Sequence, residues 1–443
     1  MQVKLWGPWA TCAVLSGLLI AAGAGLAVAD EPSARPAGPA QVGAAGKGGS
    51  VDALGIQLFS RLAEARPEEN LVFSPASLGS ALLLLQAGAA GSTDTLLQQV
   101  GGLPSAAEAP EFMKQLIAGP FRPVPQAAKP AGRDEVRETA EIALANAAWL
   151  SKQLEARPEY VEKLGGPMGA RLELLDFTRS QAAAEAINAW TRDKTRGLID
   201  KIVSPDMFDS LTRLVLTNAI YFNASWQSTF AAESTADRPF TLANGEEANV
   251  PTMRTQTSLR FVRETETQPR LALLPYRDKA GRNLGMVLVQ PGEKQKLAEI
   301  ESGLSPAVMQ RWVGSLMAAE AKPVSLQMPK YDIATQIPLR EMMEAAGLKD
   351  LFQADRCDLS GISTAEQLHV SAVLQKARIR VHENGTEAAA VTAVMVRATS
   401  AMMDPPEELH FDRPHLFAVV SMSGSGSAPL VLFVGRLADP RAN

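Results

Sequence analysis

One run of the chain must be able to live in two places. Thr386 to Arg397 (TEAAAVTAVMVR) alternates with a period of two. Thr386, Ala388, Ala390, Thr392, Val394 and Val396 are small or β-branched and uncharged. Glu387 and Arg397 fall on the other set of positions, with Ala389, Val391, Ala393 and Met395. A strand sends alternate side chains to opposite faces, so this run suits a sheet with a narrow apolar face buried and its charges outward. Yet it runs on into Thr399-Ser-Ala-Met-Met-Asp-Pro-Pro406, which reads as an exposed loop ending in a proline turn. A helix is equally compatible with the run taken alone, because Ala, Glu and Met are strong helix formers. Crowding of Val391, Thr392, Val394 and Val396 weakens the helix, and the surrounding chain has to decide.

That chain has 443 residues, with 46% apolar and 21% charged residues, enough for one large domain or two smaller ones. Residues 1–29 stand apart. Lys4 precedes an uncharged, mostly apolar run from Cys12 to Val28, and Ala27-Val-Ala29 is a small-x-small cleavage pattern, so the segment reads as a secretory signal peptide rather than a retained anchor. Residues 30–50, rich in Ala, Pro and Gly, read as a flexible tether. Loss of the signal removes Lys4 and Cys12, taking the net charge from −5 to −6 and leaving Cys357 alone. A single thiol makes no internal disulfide, so a secreted chain of this kind relies on its core. Mild acidity without a basic cluster argues against nucleic acid.

Along residues 51–443 the periodicities predict an opening helix over 51–64 and, over Asn70–Ser77, a short apolar strand entering a second helix. Ser77 is placed to cap a helix over 78–87. Strands are expected over 142–149, 211–222, 271–276, 284–289, 324–333 and 368–381, and a closing pair over 416–422 and 430–434. Helices are expected over 181–196 with Gly197 as stop, over 309–319 and over 339–346. Residues 118–136 hold four prolines and read as a surface loop. No repeat or internal linker appears, which implies one α+β domain with large sheets and a helix-rich half.

Enzyme chemistry finds no foothold. The four histidines (His369, His382, His410 and His415) form no H-E-x-x-H, there is no C-x-x-C, and Ser421–Ser427 lacks G-x-S-x-G spacing and reads as a hairpin turn. No metal ligand set and no cofactor are expected. The sequons Asn223-Ala-Ser and Asn384-Gly-Thr are short enough to arise by chance, and Cys357 reads as a buried small hydrophobe.

Seven blocks in order give the chain its resemblance. Asn70-Leu-Val-Phe-Ser-Pro-Ala-Ser77 is similar to N-F-x-F-S-P-x-S, and Ala186-Ile-Asn-Ala-Trp190 with Thr195-Arg-Gly-Leu-Ile199 to N-x-W-x(4)-T-x-G-x-I. Leu216-Thr-Asn-Ala-Ile-Tyr-Phe-Asn-Ala-Ser-Trp226 is similar to L-x-N-A-x-Y-F-x-x-x-W. Met328-Pro-Lys-Tyr331, Asp358-Leu-Ser-Gly-Ile362 and Phe433-Val-Gly-Arg436 with Pro440 follow, and Glu383-Asn-Gly-Thr-Glu-Ala-Ala-Ala-Val-Thr392 is close to the hinge E-E-G-T-E-A-A-A-A-T. Over roughly residues 51–440 the chain resembles a serpin.

The resemblance implies a single domain of large mixed and antiparallel sheets, about eight or nine helices and an exposed reactive loop over about 384–407. In that family a protease cuts the loop, forms an acyl-enzyme, and is carried off as the loop becomes a new central strand. Strand addition and the release of stored strain are its physical basis. The hinge would be Glu383, Gly385, Thr386, Glu387, Ala388, Ala389, Ala390, Val391 and Thr392. Its buried positions carry no charge, whose unpaired burial would cost several kcal/mol, so an inhibitor is expected rather than a carrier or chaperone. Sixteen residues after Glu383 the scissile bond falls at Thr399–Ser400, with Arg397, Met402 and Met403 as alternatives. A small residue there suits elastase-like or subtilisin-like serine proteases. A trypsin-like or a cysteine protease is the alternative target. The resemblance further assigns Ser74, Ser77, Asn218 and Gln375 to a buried polar cluster under which the loop enters, and Trp226 to the breach. Gln375 stands where many members have histidine, and Asn384 replaces the second hinge glutamate on what reads as an exposed turn. The implied protein is a secreted monomer, free of metal, whose partner is a target serine protease.

Overall fold

Local sequence accounts for how the helices begin and end. The computed structural model describes residues 51–122, 138–364, 368–386, 405–422 and 428–442. Helix α1 (Ala53–Ala65) buries Leu54, Leu58, Phe59 and Leu62 on one stripe. Helix α2 (Pro75–Gln86) is buried along its whole length. Its cap is Ser74 rather than the expected Ser77. The Ser74 side chain accepts from the Ser77 backbone N–H, because Pro75 takes the first helical position, where no N–H is needed. Helices α3 (Gly91–Gln99), α4 (Ala109–Ala118), α5 (Pro158–Gly165) and α6 (Ser180–Lys194) follow, then α7 (Leu297–Ser302), α8 (Pro306–Ala318) and the short α9 (Arg340–Met343). Gly197, at φ +81, ends the turn after α6 as expected.

Two sheets carry the fold. The larger runs β1 (Leu71–Phe73), β15 (Leu430–Leu437), β14 (His415–Ser421), β8 (Leu284–Gln290), β7 (Arg270–Pro275), β6 (Glu247–Val262), β9 (Lys322–Pro329) and β13 (Glu407–His410), with β5 (Ala236–Thr241) paired to β6. The six-stranded sheet runs β10 (Tyr331–Pro338), β11 (Val370–His382), β12 (Gly385–Thr386), β4 (Leu214–Ser225), β2 (Glu141–Ser151) and β3 (Arg171–Leu175). The single strand expected over 324–333 is two, β9 and β10, interrupted at Lys330, so that each half joins a different sheet. The expected α+β single domain of large mixed and antiparallel sheets is what the described residues form.

The core lies in layers. Phe222, Trp226, Val250, Met286 and Phe417 pack where the two sheets face each other, while α1 and α2 share a cluster with Leu214, Leu216 and Val373. Trp190 of α6 meets Trp149 of β2 edge-to-face at 5.6 Å, covering the sheet's other side. Cys357 is half-buried, and burial pushes its thiol up to about 12. Among the described residues no helix is long and apolar enough to cross a membrane.

Helices α1 and α2 cross where glycines allow their backbones to touch. A Cβ on Gly79 would lie 1.8 Å from the Val51 carbonyl oxygen, and one on Gly55 2.4 Å from the Pro75 Cα. Gly314 of α8 faces open space. Gly79→Ala therefore forces the helices apart and costs roughly 1–3 kcal/mol, whereas Gly314→Ala stabilises by about 0.5–1 kcal/mol. Urea unfolding midpoints should move in opposite directions, and an unchanged or raised midpoint for Gly79→Ala would refute the crossing argument.

Candidate functional site

The six-stranded sheet has a seam that is closed at one end and occupied at the other. Strands β4 and β11 pair in parallel, with Val370 opposite Leu214 and Gln375 opposite Asn218. Farther along, at Val381–His382 and at Ala224–Ser225, each pairs instead with β12. Gly385 and Thr386 lie antiparallel to both neighbours, Thr386 standing opposite Ala224 on one side and Val381 on the other. Gly385 and Thr386, the second of which begins the predicted strand run, are thus already in the sheet. Gly385 is required there, since a Cβ would sit 2.1 Å from the Ala224 carbonyl oxygen. Thr386 is 1% exposed and its hydroxyl lies 2.6 Å from that of Tyr276. Its side chain points inward, on the face the alternation assigned to it. Glu387, Ala388, Ala389, Ala390, Val391 and Thr392 lie outside the described residues, as do Arg397, Thr399, Ser400, Met402 and Met403.

Around the occupied end the contacts are dense. Trp226 stacks on Tyr276 at 4.5 Å and 15°, and its indole N–H donates to the His382 carbonyl. Its backbone N–H donates to the Asn384 carbonyl. Glu383 accepts from Lys330 Nζ at 3.0 Å and from the Thr235 hydroxyl at 2.8 Å. Burial works to raise the Glu383 carboxyl, but backbone, Lys330 and Thr235 hydrogen bonds prevail and hold it below its usual range. Asn384 corrects the exposed-turn expectation: it is 4% exposed, because its backbone is shared between Trp226 and the His382 ring. Burial likewise makes both sequons poor acceptors, Asn223 being buried as well.

At the closed end the expected polar cluster is assembled, though not as one network. The Gln375 amide clamps the Ser74 backbone, accepting from its N–H at 3.0 Å and donating to its carbonyl at 2.9 Å. The Ser74 hydroxyl donates to the Leu432 carbonyl. Asn218 turns the other way and donates to Asn146 Oδ1, which Ser80 also approaches. The Ser77 hydroxyl and Asn218 Oδ1 are buried without a partner. Asn146, unremarked in the sequence, carried a signal: it is the one polar residue inside the apolar run Ile142–Leu150. Lys330, Thr235, Tyr276 and His382 carried none, since each is brought to the seam from a separate element.

Across the sheet's outer face runs the segment after α6. Arg378 and Lys376 donate to the carbonyls of Leu198 and Lys201, and Gln336 to that of Ile202. Asp332 holds Arg378 and Arg380 together at 2.8 Å each.

Two measurements probe these ends. Gln375→Met keeps the shape but leaves the Ser74 N–H buried and unpaired, its carbonyl still accepting from the Leu78 N–H, and should cost about 1–3 kcal/mol. A loss under half that, by unfolding, would mean the clamp is dispensable. Burial, with Lys330 and Arg380 nearby, pushes His382 from 6.5 down to about 4, against the opposing pull of Glu383. The fold prefers the neutral ring, so its contribution is complete above about pH 6.5 and declines as pH falls toward 4. Trp226 fluorescence should report loosening in that window, and His382→Gln should abolish the upper part of the transition. An identical acid profile in both proteins would exclude His382.

Comparisons with known proteins concur. Residues 50–440 match the family model described as serpin (serine protease inhibitor). The chain is 31% identical to glia-derived nexin of Mus musculus over 392 residues, 87% of this chain and 91% of that one. It is 33% identical to leukocyte elastase inhibitor of Bos taurus, covering 87% and 97% respectively. A crystal structure of native protease nexin-1 with heparin superposes with a TM-score of 0.73 at 29% identity, covering 88% of this chain and 98% of the other.

Proposed function

The chain belongs to the serpin family of serine protease inhibitors, and on that premise we propose that it is a secreted suicide substrate for an elastase-like or subtilisin-like serine protease. The observation that carries this reading is the seam itself. Continuing the register of β12 one residue at a time brings Glu387 opposite Asn223 and Arg380, Ala388 opposite Phe222 and Ile379, and Thr392 opposite Asn218 and Gln375. Small residues at 388 and 390 suit a floor already filled by Phe222 and its aromatic neighbours, Tyr276 and Phe433. Insertion to Thr392 reaches the point where β4 and β11 now pair, and going further separates them. A parallel pairing is then exchanged for two antiparallel ones, which are slightly more stable per residue.

The target protease attacks Thr399, and the new N-terminus at Ser400 leaves with the far strand. The loop carrying the acyl-enzyme on Thr399 runs into the sheet before water reaches the ester. A small side chain at Thr399 and the similarity to an elastase inhibitor support an elastase-like target. The signal-peptide pattern of residues 1–29 supports secretion, and the monomer and the metal-free covalent complex follow from the mechanism.

Mixing the mature protein with elastase-, subtilisin-, trypsin- and chymotrypsin-like enzymes tests this on denaturing gels. The expected result is a covalent adduct with one of the first two and a cut after Thr399, located by mass spectrometry. Gly385→Val, which cannot pass Ala224, should be cleaved at the same bond with at least a tenfold lower adduct yield. Cleavage without adduct in the parent protein would leave a substrate or carrier instead.

A further inference from the structure

Far from the seam, a cleft of about 800 Å³ opens between α1, α7 and the turn after β5. That is the size of a small-molecule site. Its walls are mainly apolar, with Ala63, Leu242, Pro291, Leu297, Ala298 and Pro414 among them. Its rim is electrically balanced, Lys296 and Arg413 standing against Glu64 and Glu293, and Arg413 is tied to the Pro291 carbonyl. The charge preference is therefore set by the floor.

The floor is the ion pair of Glu301 and Arg436, whose side chains are 5% and 2% exposed. The two partners are unequally satisfied. The Arg436 guanidinium donates to the carbonyls of Ala63, Arg66 and Glu69 as well as to Glu301, gathering the end of α1. Both Glu301 oxygens share a single nitrogen, Arg436 Nη1, at 3.0 Å. An ionised carboxylate has about four acceptor positions, and a structural ion pair alone would bury it with more of them filled. Burial raises the Glu301 carboxyl even beside Arg436, as expected of an anion short of donors.

We propose that this cleft binds a small amphipathic amine, whose ammonium donates to the unfilled positions of Glu301 while its hydrocarbon lies along Leu242, Leu297 and Pro414. Such a ligand adds N–H donors where the protein supplies only one, and it removes apolar surface from water. The site is independent of the seam and of the reading given to it.

Titration calorimetry of the full mature chain with hexylamine tests the assignment, with hexanol and hexanoate as neutral and anionic probes. Hexylamine should bind at least tenfold more tightly than either. Ala298→Trp fills the cleft from an exposed wall without touching the ion pair, and should abolish binding with the unfolding temperature unchanged. Glu301→Gln should lower the amine affinity at least tenfold, and hexanol binding should stay within twofold. No amine binding, equal binding of hexanol or hexanoate, or undiminished binding to Ala298→Trp would each overturn the proposal.

Discussion

Strands β4 and β11 pair with each other for only part of their length, and much of the remaining structure serves that interruption. Where they do pair, they run parallel; where they part, β12 stands antiparallel to both. A strand edge with unpaired backbone groups is a template for another strand, and here two such edges face one another inside a single sheet. Gly385 and Thr386 are constrained by both. Gly385 fits because the Ala224 carbonyl leaves no room for a side chain, and Thr386 because Tyr276 offers its hydroxyl a partner.

The polar groups near the closed end are anchored on separate sides of the seam. Gln375 and Asn218 are neighbours in register, yet each side chain is anchored on its own side, one to Ser74 at the start of α2 and the other to Asn146 of β2. Separating the strands therefore strains the backbone pairing and spares both buried amides, whose exposure without partners would be far more costly. The opposite end is held differently. Lys330, Thr235 and Trp226 come from connections between strands to grip residues 382–384. The outer face is fastened by backbone carbonyls of the segment after α6, which accept from Arg378 and Lys376.

A good part of this was legible in the sequence. The strand periodicities located β2, β4, β8, β11, β14 and β15, because central strands bury both faces or alternate strictly and both patterns survive without context. Alternation placed Thr386 on the buried face, where it lies, and the proximity of Gln375 to Ser74 came from resemblance alone. Boundaries set by a single residue were missed. Ser77 yielded to Ser74 as the cap once Pro75 took the first helical position, and Lys330 divided a continuous apolar run between two sheets. Asn384 looked like a surface turn because nothing in its neighbours announces that Trp226 will close over it.

What the amino-acid order settled by itself was local: which runs are strands or helices, which face of each is apolar, and that residues 386–396 could tolerate burial on one face. Those properties depend on neighbours within a few positions, where spacing and side-chain chemistry suffice. Tertiary structure alone decided that Gly385 and Thr386 lie between β4 and β11, since that depends on whether those strands pair with each other or with β12, a choice among partners as distant in sequence as Asn218 and Gln375. It also decided that Gln375 reaches Ser74 rather than Asn218, and that Glu301 meets Arg436 at the base of a cleft. Long-range pairing of this sort is fixed by the competition of whole surfaces for burial, and no short stretch of sequence contains it.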